Sequence, residues 1–143
     1  MKSLKTLIRL QRFELDAKRR KLADLEDLLA DMKQRVRRLE EDMIDEGARA
    51  ADQGTVALAY GPYIAAALER KRNLLNSQAE LEGRIAEARD EVAEAFQDVK
   101  KYELAEAARV AREKAELAKK EREMLDEVGS VGFNRRSAER ASA

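Results

Sequence analysis

The chain has 143 residues, of which 41% are charged, 44% are hydrophobic and only 4% are aromatic, and its formal net charge is zero. A globular domain of this length usually carries more aromatic and fewer charged residues, so the composition favours a protein built from long helices. Net neutrality argues against nucleic acid as the main ligand, because nucleic-acid binding requires a basic surface.

The first predicted element is an amphipathic helix over about residues 3–47. Alternate steps of four and three residues from Leu4 meet Ile8, Gln11, Leu15, Lys18, Leu22, Leu25, Leu29, Met32, Val36, Leu39 and Met43. Only two members of this stripe, Gln11 and Lys18, are polar. A period of 3.5 residues places the stripe on one narrow helix face, and such a face is buried against another helix. The pattern therefore predicts a coiled coil.

The predicted turn region covers about residues 48–61. It follows Gly47 and contains two further glycines, and the only proline of the chain, Pro62, comes directly after it. Glycine lowers helix stability by about 1 kcal/mol per site, and proline is tolerated only in the first turn of a helix. We therefore expect Pro62 to open the second helix.

The second predicted helix, over about residues 62–128, carries a matching stripe. Its members are Ile64, Ala67, Lys71, Leu74, Gln78, Leu81, Ile85, Ala88, Val92, Ala95, Val99 and Tyr102. An antiparallel register in which facing position numbers add up to about 110 pairs Leu15 with Ala95 and puts the apex at Gly54–Thr55. A register one heptad away also avoids polar pairs, so the turn position makes the choice. The fold predicted for residues 1–128 is all-α, with two long helices forming an antiparallel coiled-coil hairpin.

The heptad phase breaks after Tyr102, where the first helix runs out in this register. A new stripe follows and consists of Leu104, Ala108, Ala111, Ala115, Ala118 and Leu125, with Arg122 in the same series. It is interpreted either as a solvated helix end or as a docking face, since small residues let the backbone of a partner approach closely. Residues 129–143 show no stripe and are predicted to be a flexible C-terminal tail.

Two of the three tyrosines of the chain, Tyr60 and Tyr63, lie beside the predicted turn. Exposed aromatic side chains near a turn favour contact with a partner, because they supply rigid contact area. The alternative is that both tyrosines pack back onto the apex and cover the end of the hydrophobic stripe.

The chain has no cysteine and no histidine. Disulfides, thiolate chemistry, the usual zinc sites and histidine general-base catalysis are therefore excluded. The sequence also lacks a glycine-rich phosphate loop and an apolar run long enough to cross a bilayer. We expect a cytoplasmic non-enzyme without catalytic residues, metal or cofactor. Basic runs at Lys18–Lys21 and Lys33–Arg38 leave open a nucleic-acid-associated helix pair, although acidic residues flank both runs.

Three features of the chain are similar to those of one known family. They are a leucine stripe that starts at Leu4 and Leu7, an acidic close of the second helix at Glu123–Glu127, and an aromatic patch after the turn. The patch comprises Tyr60, Tyr63, Ile64, Leu68 and Glu69. In these features and in length, the chain resembles the FliJ family, small coiled-coil stalk proteins of the bacterial flagellar type III export apparatus.

The resemblance implies a cytoplasmic stalk, peripheral at the inner face of the cell membrane, that serves protein transport in flagellum biogenesis and motility. It implies that the paired chain ends insert into the hexameric ring of the export ATPase. The side of the hairpin towards the turn would reach the export gate, the membrane protein FlhA, and export chaperones would also bind. Membrane contact would then be only peripheral, through the gate. No catalytic group is carried over, since the ATP chemistry belongs to the ring.

The same resemblance implies which residues of this chain make these contacts. The ring would contact the first helix up to about Lys21 together with the overhang from Leu104 to Glu127. The gate-facing residues would be Met43, Tyr60, Tyr63, Ile64 and Leu68.

One further interpretation stays open beside the stalk. The chain could be a structural coiled-coil scaffold or a chaperone-like adaptor without a role in secretion. In the scaffold the stripe would continue into dimers or higher assemblies, so the oligomeric state would distinguish scaffold from hairpin.

Overall fold

The computed structural model describes residues 2–53 and 59–142, which form two α-helices, α1 (Lys2–Asp52) and α2 (Tyr60–Ser142). Within these ranges there is no β-strand. The chain divides into two compact units, a hairpin unit of Leu10–Val99 and an end unit made of Met1–Arg9 with Lys100–Ala143. The predicted all-α helical hairpin is confirmed.

In the hairpin unit, the two heptad stripes form the core. Every predicted stripe position from Gln11 to Met43 and from Ile64 to Val99 is buried or half-buried. The most buried side chains of this unit are Leu15, Val36, Ala67, Leu81, Ile85, Ala88, Ala95 and Val99. Burial of a Leu, Ile or Val side chain contributes about 1.5–3 kcal/mol, so this seam is the main source of stability.

Contacts across the seam show an antiparallel register. Leu15 and Ala95 belong to one buried cluster, and the Nζ atom of Lys71 lies 3.2 Å from a carboxylate oxygen of Glu40. The facing position numbers add up to 110 in the first pair and to 111 in the second, in agreement with the predicted register. The apex predicted at Gly54–Thr55 lies outside the described residues.

The first helix is longer than the sequence predicted. α1 continues through Gly47 and ends at Asp52 instead of near residue 47, because the intervening residues are mostly alanine and arginine, which are strong helix formers. At Gly47 the two helices approach closely, since a Cβ atom placed there would lie 2.9 Å from the hydroxyl oxygen of Tyr60. This glycine therefore permits a contact and does not end the helix.

The second helix begins two residues earlier than predicted, at Tyr60. Pro62 lies in its first turn, where the missing N–H would have no intrahelical partner. The backbone N–H of Tyr63 donates to the carbonyl oxygen of Ala59 at an N···O distance of 3.1 Å, so the first turn already closes.

At its other end α2 continues to Ser142, through the segment that was predicted as a tail. Gly129 and Gly132 each weaken a helix by about 1 kcal/mol, but alanine, arginine and glutamate after them restore the propensity. The Ser142 hydroxyl donates to the carbonyl oxygen of Ala138 at 3.0 Å. From 111 to 142 every residue except the half-buried Gly132 is exposed. Flexibility of this tail stays a prediction.

In the end unit, the pairing reaches further along α2 than the sequence indicated. Ile8 is buried, and Tyr102, Glu106 and Arg109 are half-buried, whereas Leu104 is 70% exposed. The 3.5-residue period of the seam therefore continues past Tyr102 through polar residues, while the stripe that starts at Leu104 lies outside the packed face.

Candidate partner-binding surfaces

The first candidate surface is a groove of about 520 Å³ in the hairpin unit, here called the turn-side groove. It is lined by Glu40, Met43, Ile44, Gly47, Tyr60, Ile64 and Lys71. Three of the predicted gate-facing residues, Met43, Tyr60 and Ile64, thus lie together. Ile44, which the sequence analysis missed, is the most accessible large apolar residue in the groove, with 71% of its surface exposed.

The shape of this groove follows from the helix periodicity. Met43 and Gly47 are one turn apart on α1 and lie at the edge of the seam, where Gly47 leaves room for the ring of Tyr60. The salt bridge between Lys71 and Glu40 belongs to the lining and joins α2 to α1. The result is an apolar surface bordered by one neutralised ion pair, which suits a partner with an apolar side chain.

Tyr63 lies in a different groove from Ile64. It is grouped with Glu46, Arg49 and Ala50, and Tyr60 contributes to both grooves. Burial raises the pKa of Tyr63, and the nearby carboxylate of Glu46 raises it further. Both tyrosines are half-buried, and their packing onto the apex, which lies outside the described residues, stays a prediction.

Leu68 does not line either groove, and 48% of its surface is exposed. It follows Ile64 by one helical turn, so it extends the same face of α2. The predicted gate-facing set therefore splits: Met43, Tyr60 and Ile64 share a groove, Leu68 continues its face, and Tyr63 lies apart.

The second candidate surface is the exposed part of α2 in the end unit. All predicted positions of the docking face are exposed, namely Leu104, Ala108, Ala111, Ala115, Ala118 and Leu125. A second apolar strip, which the sequence analysis missed, lies on the same helix and consists of Leu117, Met124, Val128 and Val131. Its members follow one another at steps of seven, four and three residues, and this helical spacing could have revealed the strip. Since residues 111–142 pack on no other described segment, the apolar side chains of this strip are available to a partner.

A polar cluster ends the paired part of the end unit. The Arg109 guanidinium donates to both carboxylate oxygens of Glu106, at 2.9 and 3.0 Å, and to Glu113 at 2.6 Å. These hydrogen bonds from Arg109 hold the pKa of Glu106 below its ordinary value, with a smaller contribution from the charge of Lys5. The cluster stabilises α2 at the place where its neighbour α1 begins.

Within residues 2–53 and 59–142 there is no group of acidic side chains that could hold a metal ion. Over the same ranges, neither helix has a stretch apolar and long enough to span a bilayer. Carboxylates on the helix surfaces form ion pairs, such as Glu26 with Arg89 at 3.3 Å.

The model of a protein family described as "Flagellar FliJ protein" matches residues 1–138 and thus includes both candidate surfaces. No curated protein and no solved structure matches the chain.

Proposed function

Because this chain belongs to the FliJ family of flagellar proteins, and so has a role connected with flagellar export, we propose that it is a cytoplasmic stalk of the type III export apparatus. It binds the export ATPase ring through its end unit and the export gate protein FlhA through its hairpin unit. The observation that carries this proposal is the long exposed part of α2, residues 111–142, which displays apolar side chains without packing on another described segment.

The exposed part of α2 has the properties that a contact with a working ATPase ring requires. Its surface consists mainly of small and charged residues, and its exposed apolar side chains, such as Leu117 and Leu125, lie in strips along the helix. A contact of this kind is weak enough to be exchanged as the ring hydrolyses ATP, whereas a large apolar patch would bind permanently. The chain contributes no catalytic group, and ATP hydrolysis belongs to the ring.

The turn-side groove is the proposed contact with the gate. Ile44 and Ile64 offer an apolar surface to a partner's side chain, and Tyr60 packs over Gly47 in the same groove. Binding there would bring the chain to the inner face of the membrane as a peripheral component. Export chaperones are a third class of proposed partner.

The contact with the ring is tested by the ATPase activity of the export ATPase from the same bacterium. A chain that ends after Val110 retains all of the buried residues and the hydrogen bonds between Arg109 and Glu106. We expect it to remain a hairpin but to lose stimulation of ATP hydrolysis, while the full chain stimulates. Undiminished stimulation by the truncated chain would show that the exposed helix has no role at the ring.

The contact with the gate is tested by binding to the purified cytoplasmic domain of FlhA. Ile44→Asp places a charge in the groove without removing a buried side chain from the seam, since Ile44 is largely exposed. Phe13→Asp is the matched control, because Phe13 is also an exposed apolar residue of α1 in the hairpin unit but lies outside the groove. We expect about tenfold weaker binding for the first variant only. Equal affinities of the two variants would remove the groove from the interface.

A further inference from the structure

A third groove of the hairpin unit has a composition unlike the other two. It has a volume of about 310 Å³ and is lined by Arg35, Arg38, Leu39, Asp42, Arg70 and Leu74. We call it the arginine groove. Two half-buried leucines, one from each helix, form its apolar part, and three exposed arginines surround them. None of these residues belongs to the turn-side groove.

The charges in the arginine groove are not balanced. Three guanidinium groups and one carboxylate, that of Asp42, give the lining a net charge of +2. Elsewhere beside the seam, charged groups neutralise one another across the two helices, as Lys71 does with Glu40 and Arg89 with Glu26. In the described part of the chain, no salt bridge is formed by any arginine of the groove.

We propose that the arginine groove binds an acidic amphipathic segment of a partner protein. Carboxylates of that segment would pair with Arg35, Arg38 and Arg70, which present several N–H donors each and match a carboxylate in bidentate geometry. An apolar side chain of the same segment would cover Leu39 and Leu74. This proposal is independent of the proposed contacts with the ATPase ring and with FlhA, because it uses other residues.

The geometry favours a protein segment over nucleic acid or a membrane. Nucleic acid is bound by a basic surface that follows several phosphates, whereas this chain has no net charge and the arginine groove includes Asp42. Binding to a flat anionic membrane requires apolar side chains that project from the protein surface into the bilayer. Leu39 and Leu74 are half-buried and do not project in this way. A groove with two half-buried leucines and three exposed arginines fits a helix that carries both carboxylates and a leucine.

The test is fluorescence anisotropy with a labelled synthetic peptide of about four helical turns, with glutamate and leucine at amphipathic spacing. The full chain should bind this peptide and should bind a peptide of the same composition in shuffled order more weakly. The triple variant Arg35→Gln, Arg38→Gln and Arg70→Gln should lose about tenfold in affinity, which is the sum expected of three exposed ion pairs. All three side chains are exposed, so the variant should keep the circular dichroism of the parent.

The matched control removes three other exposed arginines and changes the net charge equally, with Arg112→Gln, Arg136→Gln and Arg140→Gln in α2. It should bind the peptide within about twofold of the full chain. The proposal is overturned if the full chain does not bind the peptide, if both triple variants lose affinity alike, or if the shuffled peptide binds equally well. Stronger groove-dependent binding of a single-stranded oligonucleotide or of anionic phosphatidylserine vesicles would also overturn it.

Discussion

Leu15→Ala should destabilise the hairpin by about 2–3 kcal/mol. Leu15 is 5% exposed and packs with Ala95, Val99 and Val92, so truncation removes apolar contacts with three residues of α2. Buried leucine-to-alanine replacements cost about 2–5 kcal/mol, depending on how well the surroundings collapse. A seam between only two helices can relax and admit water, which places the expected cost at the lower end of that range.

Urea unfolding followed by far-ultraviolet circular dichroism measures this loss. The matched control is Phe13→Ala, which removes a larger apolar side chain from the same helix at a position that is 65% exposed. The control should change the free energy of unfolding by less than about 0.5 kcal/mol. Equal effects of the two substitutions would refute the assignment of Leu15 to the core, and with it the register of the seam.

Three other predictions concern polar groups. Hydrogen bonds from Arg109 lower the pKa of Glu106, so the ionised carboxylate contributes stability above pH 4.5, and this contribution is lost as the pH falls through the lower pKa of the folded state. In Glu106→Gln, the free energy of unfolding should therefore depend less on pH below 4.5. Burial raises the pKa of Tyr63 above 10.0, so the stability that the neutral phenol contributes is full below pH 10.0 and is lost as the pH rises through the higher pKa of the folded state. Tyr63→Phe should therefore remove a tyrosine ionisation above pH 10.0 from an ultraviolet absorbance titration. Gly47→Ala should stabilise the chain by about 1 kcal/mol through helix propensity, but only in a Tyr60→Phe background, because the Tyr60 hydroxyl oxygen lies 2.9 Å from the new Cβ position. Equal gains in both backgrounds, measured by urea unfolding, would contradict that close approach.

The seam was predictable from the sequence because its cause is local and periodic. An apolar stripe with a 3.5-residue period is buried when it packs against another helix. Each stripe position from Gln11 to Met43 is buried or half-buried as expected. The register could also be predicted, since a turn rich in glycine restricts which residues face one another. Leu15 beside Ala95 is one result.

The helix ends and the continuation through polar residues were not predictable in the same way. Gly47 lowers helix propensity, but its effect depends on the ring of Tyr60, which is brought to it by the fold. Glu106 and Arg109 continue the spacing of the stripe, but charged residues are not expected on a packed face. Their mutual hydrogen bonds make half-burial tolerable, and these bonds cannot be read from the stripe. Leu104, by contrast, looks like a core residue from its chemistry and is exposed.

The grooves beside the seam lie beyond what the periodicity predicts. Their lining comes from residues that flank the stripe on both helices, so it depends on the register of the pair. Ile44 was overlooked because it is out of phase with the stripe. Arg35 and Arg38 belong to a basic run that the sequence shows, but only the pairing of the helices brings Arg70 of α2 beside them. The function of such surfaces has to be derived from the paired structure.

The antiparallel pairing within one molecule is the claim on which both binding surfaces of the hairpin unit depend, and a spin-label distance tests it most directly. Ala17 and Ala93 are exposed, lie beside the seam on α1 and α2, and can each be replaced by a labelled cysteine in this cysteine-free chain. Diluted into an excess of unlabelled protein, the doubly labelled chain should show a single distance below about 30 Å, as expected for labels on adjacent helices. A distance near 110 Å, about the length of one uninterrupted helix between these residues, would contradict the hairpin.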